Sequence, residues 1–360
     1  MIGTLHRDSA VDRSTVWRRV LPFLALAFGL TWLLDLGLQL FGGYGSPQTI
    51  VALQLQMLIP AASAILLGFF APGFGPIAVR QSDGKARAFF VFFLALTALY
   101  VIMTIVALAL PNLAATVAGV SQILTILSIL VLAVLRLAGG RASFLRANLS
   151  FGKPVSWLIF GIGFILLYSL LTGLNALFGL GTVPDLSAMV AQSGLPTDTF
   201  MIVGLFQSVI VGPFLGIVIA FGEEYGWRGY LQSELVKLGR VRGILILGLI
   251  WGIWHAPIIM MGHNYPGYPV LGVFLMTAYT TLLAFILGYA MLKTGSVWRV
   301  AFLHALNNQV ASTLLILFYT PADSAFQFVA GIYGLVVLAA VVALLLRDPI
   351  WRGAGVPERE

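Results

Sequence analysis

The chain contains no cysteine and very few charged residues. Without Cys among its 360 residues it has no disulfide framework, no thiol nucleophile and no cysteine-ligated metal site. Only 9% of the residues are charged and 60% are hydrophobic, whereas an average soluble domain has roughly 25% charged residues. This composition cannot cover a soluble surface and indicates a polytopic membrane protein.

Several motifs of hydrolases and nucleotide-binding proteins are also absent. The sequence has no HExxH, which excludes the usual one-helix zinc protease motif, and no GxSxG nucleophile elbow. It has no GKS or GKT phosphate-binding loop. The net charge of +7 does not require a nucleic-acid partner, because the positions of the basic residues explain it.

Apolar runs of about twenty residues recur along the chain and predict membrane-spanning helices. The predicted spans are 20–41, 50–71, 88–110, 113–135, 155–178, 200–222, 244–262, 270–292, 299–319 and 327–346. They define an all-α, polytopic transmembrane helical bundle of about ten spans, or eight to ten if some segments are re-entrant. The first run is too long for a signal peptide and lacks a small-residue cleavage site. Pro213, within the sixth span, predicts a kink.

The basic residues predict how the bundle is oriented. With the N-terminus in the cytoplasm and alternating spans, every Lys and Arg falls in a cytoplasmic segment. The external loops contain Asp185, Asp198 and Asp323 and no Lys or Arg. Both termini are therefore predicted to be cytoplasmic, with the basic residues bordering anionic lipid. Three aromatic residues are expected in the interfacial belt: Tyr225, Trp227 and Trp298.

The ionisable residues within the predicted spans are few, and most of them cluster. Glu223 and Glu224 lie at the cytoplasmic end of the sixth span. His304 lies just over one turn into the ninth span, and His255 lies deeper in the seventh. An ionisable residue inside a span is by default a functional hypothesis. Three helices are thus expected to bring acids and imidazoles together in the cytoplasmic half of the membrane.

Helical spacing gives the two adjacent glutamates different roles. Glu223 and Glu224 are about 100° apart on a helix, so they cannot face one partner equally. Glu224 and Arg228 are spaced i,i+4 with the acid N-terminal, the favourable order for an ion pair. We therefore expect Glu224 to pair with Arg228. Glu223 is left as a free carboxylate suited to act as a general base.

The spacing of the polar residues on the later spans predicts a donor pair. His304 and Asn308 are spaced i,i+4, share a helix face and can both donate to one oxygen, as in an oxyanion hole. Asn307 points about a quarter turn away and is not expected to join them. Trp251 lies one turn before His255 on the same face, where it can pack against the imidazole and orient it.

Three short motifs occur in order on successive predicted spans. "EEYGWR" (223–228) fits E-E-x-x-x-R, "WGIWH" (251–255) fits aromatic-x-x-x-His, and "HALNN" (304–308) fits H-x-x-x-[N/D]. Together they resemble the CAAX prenyl protease and bacteriocin-processing family (CPBP, also called Abi), intramembrane proteases that include the Ras-converting type. Trp251 stands where this family usually has Phe. The resemblance covers roughly residues 200–320.

The resemblance implies a role for each matched residue. Glu223 would activate the attacking water, and His255 would help to hold or polarise it. His304 and Asn308 would stabilise the oxyanion of the tetrahedral intermediate. Three further residues would support the site: Glu224, Arg228 and Trp251.

The resemblance leaves two cofactor states open, because the family has been discussed both as metalloproteases and as metal-free glutamic proteases. Glu223, His255 and His304 could supply one carboxylate and two imidazoles to a zinc ion. Asn308 beside His304 makes more sense as part of a donor pair, so a metal-free site is favoured over zinc.

The sequence thus predicts an intramembrane endopeptidase that hydrolyses a membrane-associated peptide or protein near the cytoplasmic face of a bacterial cell membrane. The predicted regions are a cytoplasmic tail (1–19), N-terminal transmembrane helices (20–199), a catalytic core (200–320), and a last helix with a cytoplasmic tail (321–360). One alternative is a non-catalytic immunity or scaffold protein that binds a peptide or lipid. Another is a proton-coupled transporter, which the lack of a visible internal repeat disfavours.

Overall fold

Helices make up most of the part of the chain that the structure describes. The structure, a computed structural model, describes residues 13–71, 73, 82, 84–138 and 141–353. Its α-helices are α1 Arg13–Leu40, α2 Thr49–Phe70, α3 Gly84–Ala109, α4 Ala114–Leu137, α5 Arg141–Arg146, α6 Pro154–Leu177, α7 Ser187–Ser193, α8 Thr197–Phe206, α9 Gly212–Leu215, α10 Ile217–Glu224, α11 Gln232–Leu235, α12 Arg240–Trp254, α13 Ala256–Met260, α14 Pro269–Thr294, α15 Val297–Leu317 and α16 Ile332–Leu345.

Shorter elements interrupt and connect these helices. Two π-helical turns, Gln207–Val211 and Tyr225–Leu231, interrupt the α8–α11 segment. Strand β1, Gly181–Thr182, pairs antiparallel with β2, Thr320–Pro321, which ties the α6–α7 connection to the segment after α15. The fold is therefore nearly, but not entirely, all-α.

Within the described ranges, eight helical segments are long and apolar enough to cross a membrane, which confirms a polytopic helical membrane protein. The other predicted spans take different forms. The seventh, 244–262, divides at His255 into α12 and α13. Pro257 has no N–H to continue the helix hydrogen bonds, which accounts for this break. The tenth becomes the short α16. The number of spans and the cytoplasmic position of the termini stay predictions.

Some sequence predictions fall outside the described residues. These are residues 1–12 of the predicted N-terminal tail, the basic residue Arg80, and residues 354–360 of the predicted C-terminal tail. Helix α1 begins at Arg13, inside the range 1–19 that was predicted as a tail. The predicted division of the chain at residues 200 and 320 stays a prediction. One apolar cluster includes residues on both sides of residue 200, from Val16 to Trp351.

Two glycines allow α10 and the π turn after it to lie directly against α2. A Cβ on Gly222 would lie 2.4 Å from the Met57 carbonyl oxygen, and one on Gly226 would lie 2.5 Å from the Pro60 Cβ. Only glycine permits so close a backbone approach, a common device where membrane helices pack. This contact fixes the segment that carries Glu223.

A second pair of glycines joins α12 to α14. A Cβ on Gly248 would lie 2.5 Å from the Thr281 Cα, and one on Gly252 would lie 2.4 Å from the Thr277 Cα. Thr280 also donates a hydrogen bond to the Gly248 carbonyl oxygen, at 3.3 Å. Helix α12 is thereby held in a fixed rotation, which aims Trp251 and His255.

The three aromatic residues expected in the interfacial belt are instead fully buried. Tyr225, Trp227 and Trp298 each have 0% of their surface exposed. Trp298 stacks on Phe221, and Trp227 packs edge-on against Phe23. The interfacial prediction was wrong because these rings lie against neighbouring helices, which hydropathy alone does not locate.

Candidate active site

Residues from all three motifs line one cavity of about 390 Å³ within the bundle, here called the central cavity. Helix α10 contributes Glu223, α12 contributes Trp251, and α15 contributes His304 and Asn308. His255, at the α12–α13 break, also lines it. The three motifs therefore converge in space, although they are far apart in sequence.

Glu223 is held by two indoles and faces the cavity. The Trp251 indole N–H donates to Glu223 Oε2 at 2.7 Å, and the Trp227 indole N–H donates to the same oxygen at 3.4 Å. The other oxygen, Oε1, has no hydrogen-bond partner among the described residues. Only 3% of the Glu223 surface is exposed. One carboxylate oxygen is thus fixed, and the other is free to bind a water or a substrate group.

Glu224 is committed to neighbouring residues, as the spacing predicted. Arg228 Nη1 donates to Glu224 Oε1 at 2.9 Å, and both side chains are fully buried. His304 Nδ1 lies 2.7 Å from the same oxygen. The Arg228 guanidinium lies 4.2 Å from the centre of the Trp251 ring, a cation–π distance. Glu224 therefore orients the His304 ring as well as balancing Arg228.

Both imidazoles have one nitrogen committed. The backbone carbonyl of Trp251 can only accept, so the His255 Nδ1 that lies 2.8 Å from it carries the proton of that hydrogen bond. A carboxylate likewise accepts, so His304 Nδ1–H donates to Glu224. The Nε2 atom of each ring is left for the cavity. Trp254 packs edge-on against the His255 ring, with the ring centres 4.6 Å apart.

Asn307, which was not expected at the site, also lines the cavity and contacts Asn308. The Tyr168 hydroxyl donates to Asn307 Oδ1, and the Tyr279 hydroxyl lies 3.1 Å from that oxygen. The Asn307 amide nitrogen donates to Asn308 Oδ1 at 3.0 Å. This series of hydrogen bonds ends at Asn308 Oδ1. The NH₂ group of Asn308 is therefore left to donate to another group.

The possible zinc ligands do not form a metal-binding group. Glu223, His255 and His304 line the same cavity. However, the described part of the chain contains no cluster of three or more His, Asp or Glu side chains arranged to hold a metal ion. The Nδ1 hydrogen bonds of both imidazoles leave Nε2 of each ring available, so they do not themselves exclude a metal. It is the relative placement of the three side chains that does not suit a zinc ion, and the metal-free site stays a prediction.

The cavity reaches the loop between α13 and α14. His263 and Asn264 line its far end, together with Gln327. The His263 ring nitrogen Nδ1 lies 3.1 Å from the Tyr44 hydroxyl. Burial lowers the pKa of His263 to about 4, so this imidazole is neutral at pH 7 and adds no charge to the cavity.

Several site contacts were missed from the sequence, although two of them leave a signal there. Trp227 is i,i+4 from Glu223, the same spacing that identified the Glu224–Arg228 pair. Trp251 differs from the usual Phe by one indole N–H, and that N–H holds Glu223. The contacts of Tyr168 and of α2 with the site leave no such signal, because they join residues distant in sequence.

Comparisons with known proteins agree with the geometry of the site. No curated protein and no solved structure matches the chain. A family model matches residues 205–310, the segment that contains Glu223, His255, His304 and Asn308. That model describes the Rce1-like type II CAAX prenyl endopeptidases, and the match confirms the family resemblance that the three motifs predicted.

Proposed function

We propose that this integral membrane protein is an intramembrane endopeptidase of the CAAX type, with Glu223 as its general base. The observation that carries the proposal is the environment of Glu223. Its carboxylate is fixed by two indole N–H groups and has a free oxygen, in a cavity that also presents His255, His304 and an asparagine amide. Its neighbour Glu224 is already paired with Arg228 and His304.

The first step is attack by water on the scissile carbonyl. A water that donates to Glu223 Oε1 and to the bare Nε2 of His255 would be held with its lone pair directed at the substrate carbon. As the water oxygen bonds to carbon, Glu223 takes one water proton. The carbonyl π electrons move onto oxygen and form a tetrahedral oxyanion.

The second step is collapse of this intermediate. The Asn308 NH₂ group donates to the oxyanion, and so does His304 Nε2–H when the ring is protonated. The oxyanion then re-forms the carbonyl, the C–N bond breaks, and Glu223 returns its proton to the leaving nitrogen. One water is consumed, and a carboxylic acid and an amine are produced.

The position of the site favours cleavage near the membrane face at which α15 begins. His304 is seven residues beyond Val297, which corresponds to about 10 Å along a helix. Basic residues lie at that end: Arg240 begins α12, Lys293 lies in the last turn of α14 and Arg299 lies in the first turn of α15. The positive-inside rule assigns this end to the cytoplasm. We therefore propose a membrane-associated peptide or protein substrate, cut near the cytoplasmic face of a bacterial cell membrane.

The direct test is hydrolysis by the purified protein. The full chain is reconstituted into vesicles of phosphatidylethanolamine and phosphatidylglycerol with a synthetic peptide that ends in a farnesylated C-a-a-X sequence. Mass spectrometry is expected to detect two fragments whose masses sum to the peptide plus one water. Cooperative unfolding of the same preparation shows that the protein is folded. If the folded protein leaves the peptide intact, the CAAX-type activity is contradicted, and a binding role becomes the better account.

A further inference from the structure

A second cavity of about 300 Å³ adjoins the central one. It is lined by residues of α2, α4, the 207–220 segment and α15, and several of them are exposed on the surface of the bundle. Four glutamines line it, and we call it the amide groove. Gln54 accepts a hydrogen bond from Ser121, and the other three are Gln122, Gln207 and Gln309. Met57 and Asn308 line both the amide groove and the central cavity, so the two spaces meet at the proposed oxyanion donor.

These last three glutamines occupy unfavourable positions for polar side chains. Each is exposed and lies near the middle of a helical segment long and apolar enough to cross a membrane. None of the three has a side-chain hydrogen-bond partner among the described residues. In a bilayer core there is no bulk water to satisfy an amide, and each unpaired polar group is costly. An apolar residue at these positions would favour the folded protein, so their polarity indicates a polar ligand.

The backbone beside the glutamines is irregular. The π turn Gln207–Val211 leads into Pro213, which has no N–H to donate to the preceding turn. A Cβ on Gly212 would lie 3.0 Å from Gln309 Cδ, so the missing side chain leaves room for that amide. π turns inside helices are frequent at functional sites. The groove wall therefore combines neutral amides with backbone that is not fully committed to a helix.

Neutral amides match one ligand chemistry closely. A glutamine side chain both donates and accepts, as a peptide unit does, and it carries no charge. Before hydrolysis a substrate must be unwound, because a helix commits each carbonyl to an N–H four residues ahead. Within a bilayer the unwound N–H and C=O groups need partners. A lipid headgroup fits less well, because it carries charge and lies at the interface.

We infer that the amide groove binds the unwound main chain of the substrate and leads it past Asn308 into the central cavity. This inference rests on the proposed function and adds to it a recognition site for a neutral, extended peptide segment. Gln207 and Gln309 pair with the substrate backbone on one side, and Gln122 pairs with it on the other. Recognition is then largely independent of side chains at these positions.

The test uses a synthetic peptide that ends in a farnesylated C-a-a-X sequence and carries a benzophenone amino acid upstream of the farnesylated cysteine. With Glu223→Gln in vesicles of phosphatidylethanolamine and phosphatidylglycerol, photocrosslinks are expected at Gln122, Gln207, Gln309 or their immediate neighbours. The double change Gln207→Leu with Gln309→Leu should reduce the crosslink yield. In an otherwise wild-type chain it should raise KM about thirtyfold, the effect of losing two hydrogen bonds between neutral groups.

The matched control is Gln39→Leu, the same change at an exposed residue of α1 outside the groove, which should leave KM and crosslinking unchanged. The unfolding temperature of the double variant shows whether a rise in KM comes from lost binding or from lost stability. Because Leu replaces unpaired amides in an apolar helix, this temperature should be equal to that of the wild type or higher. Crosslinks absent from the groove, or a KM of the double variant within twofold of wild type, would overturn the inference. If the peptide crosslinks at the groove but the wild-type chain leaves it uncleaved, the result supports the groove and contradicts the proposed protease.

Discussion

Helices α2 and α4 are both apolar enough to cross a membrane, yet they hold opposite places in the bundle. The α2 segment has a mean hydropathy of 2.0, and 72% of its most apolar window is buried. The segment Pro111–Leu137, which contains α4, has a mean hydropathy of 2.4, but only 28% of its window is buried. The more hydrophobic helix is the more exposed one, because lipid rather than protein surrounds it.

The difference shows which contacts build the site. Helix α2 is rich in small residues and accepts the backbone of α10 at Gly222 and Gly226. Helices α3 and α4 instead satisfy many of their polar groups locally. Thr97 donates to the Phe93 carbonyl oxygen, four residues earlier. Residues that line the central cavity are joined across long sequence distances, as Trp251 is to Glu223, whereas the hydrogen bonds of α3 and α4 lie mainly within one helix or join neighbours among α2, α3 and α4.

The largest expected effect comes from adding one methyl group at the α2 contact. Gly226→Ala places a Cβ 2.5 Å from the Pro60 Cβ and 2.6 Å from its carbonyl carbon. Overpacking of this kind is expected to cost about 3 kcal/mol in the free energy of unfolding and to displace Glu223. The matched change Gly119→Ala on α4 meets nothing within 4 Å and should leave stability equal or higher. Unfolding in detergent measures the free energy of unfolding of both variants. If both lose the same amount, the difference between the α2 contact and the exposed face of α4 is contradicted.

The second expected effect comes from exchanging an indole for a phenyl ring. Trp251→Phe removes the N–H that donates to Glu223 at 2.7 Å. Hydrogen bonds to charged groups contribute about 1.5–3 kcal/mol, so kcat should fall between tenfold and a hundredfold. On the lipid-side helix α6, Trp157→Phe loses a hydrogen bond to the Phe151 carbonyl oxygen and should leave kcat within twofold. If Trp251→Phe keeps the wild-type kcat, the indole does not position the base.

The smallest expected effect tests whether a lipid-side helix reaches into the site. Tyr168→Phe on α6 removes the hydroxyl that donates to Asn307, which in turn holds Asn308. Because Tyr279 can still donate to Asn307, kcat should fall only about fivefold, the effect of one hydrogen bond of about 1 kcal/mol.

The control is a tyrosine that bonds only within the lipid-side helices. Tyr100→Phe loses the hydrogen bond to the Ser121 carbonyl oxygen, at 2.8 Å, and the contact with Thr125. It should lower the free energy of unfolding by about 1 kcal/mol and leave kcat unchanged. If the two variants have the same kcat, the contact between α6 and Asn307 is structural only.

The sequence predicted the helices more fully than their arrangement. Apolar length placed α2, α3, α6 and α14 within a few residues of their observed ends, since span length follows from bilayer thickness. Local spacing also predicted the Glu224–Arg228 pair, because i,i+4 geometry holds within one helix.

Contacts between helices were not predictable in this way. The bond between Glu224 and His304 joins residues 80 positions apart, and hydropathy could not show that α2 is central or that Trp227 is buried. The roles of Glu223, His255, His304 and Asn308 in catalysis stay predictions, since their convergence is geometric. Their location in one cavity makes those roles testable.

The most direct measurement is the single-turnover rate of peptide cleavage by Glu223→Gln. The change keeps the size of the side chain and leaves an amide oxygen that the indoles can contact, but it removes the base. The account predicts a loss of about 10²–10⁴-fold in rate, with the farnesylated peptide still bound. A rate within twofold of wild type would show that another group activates the water, and the central claim would be wrong.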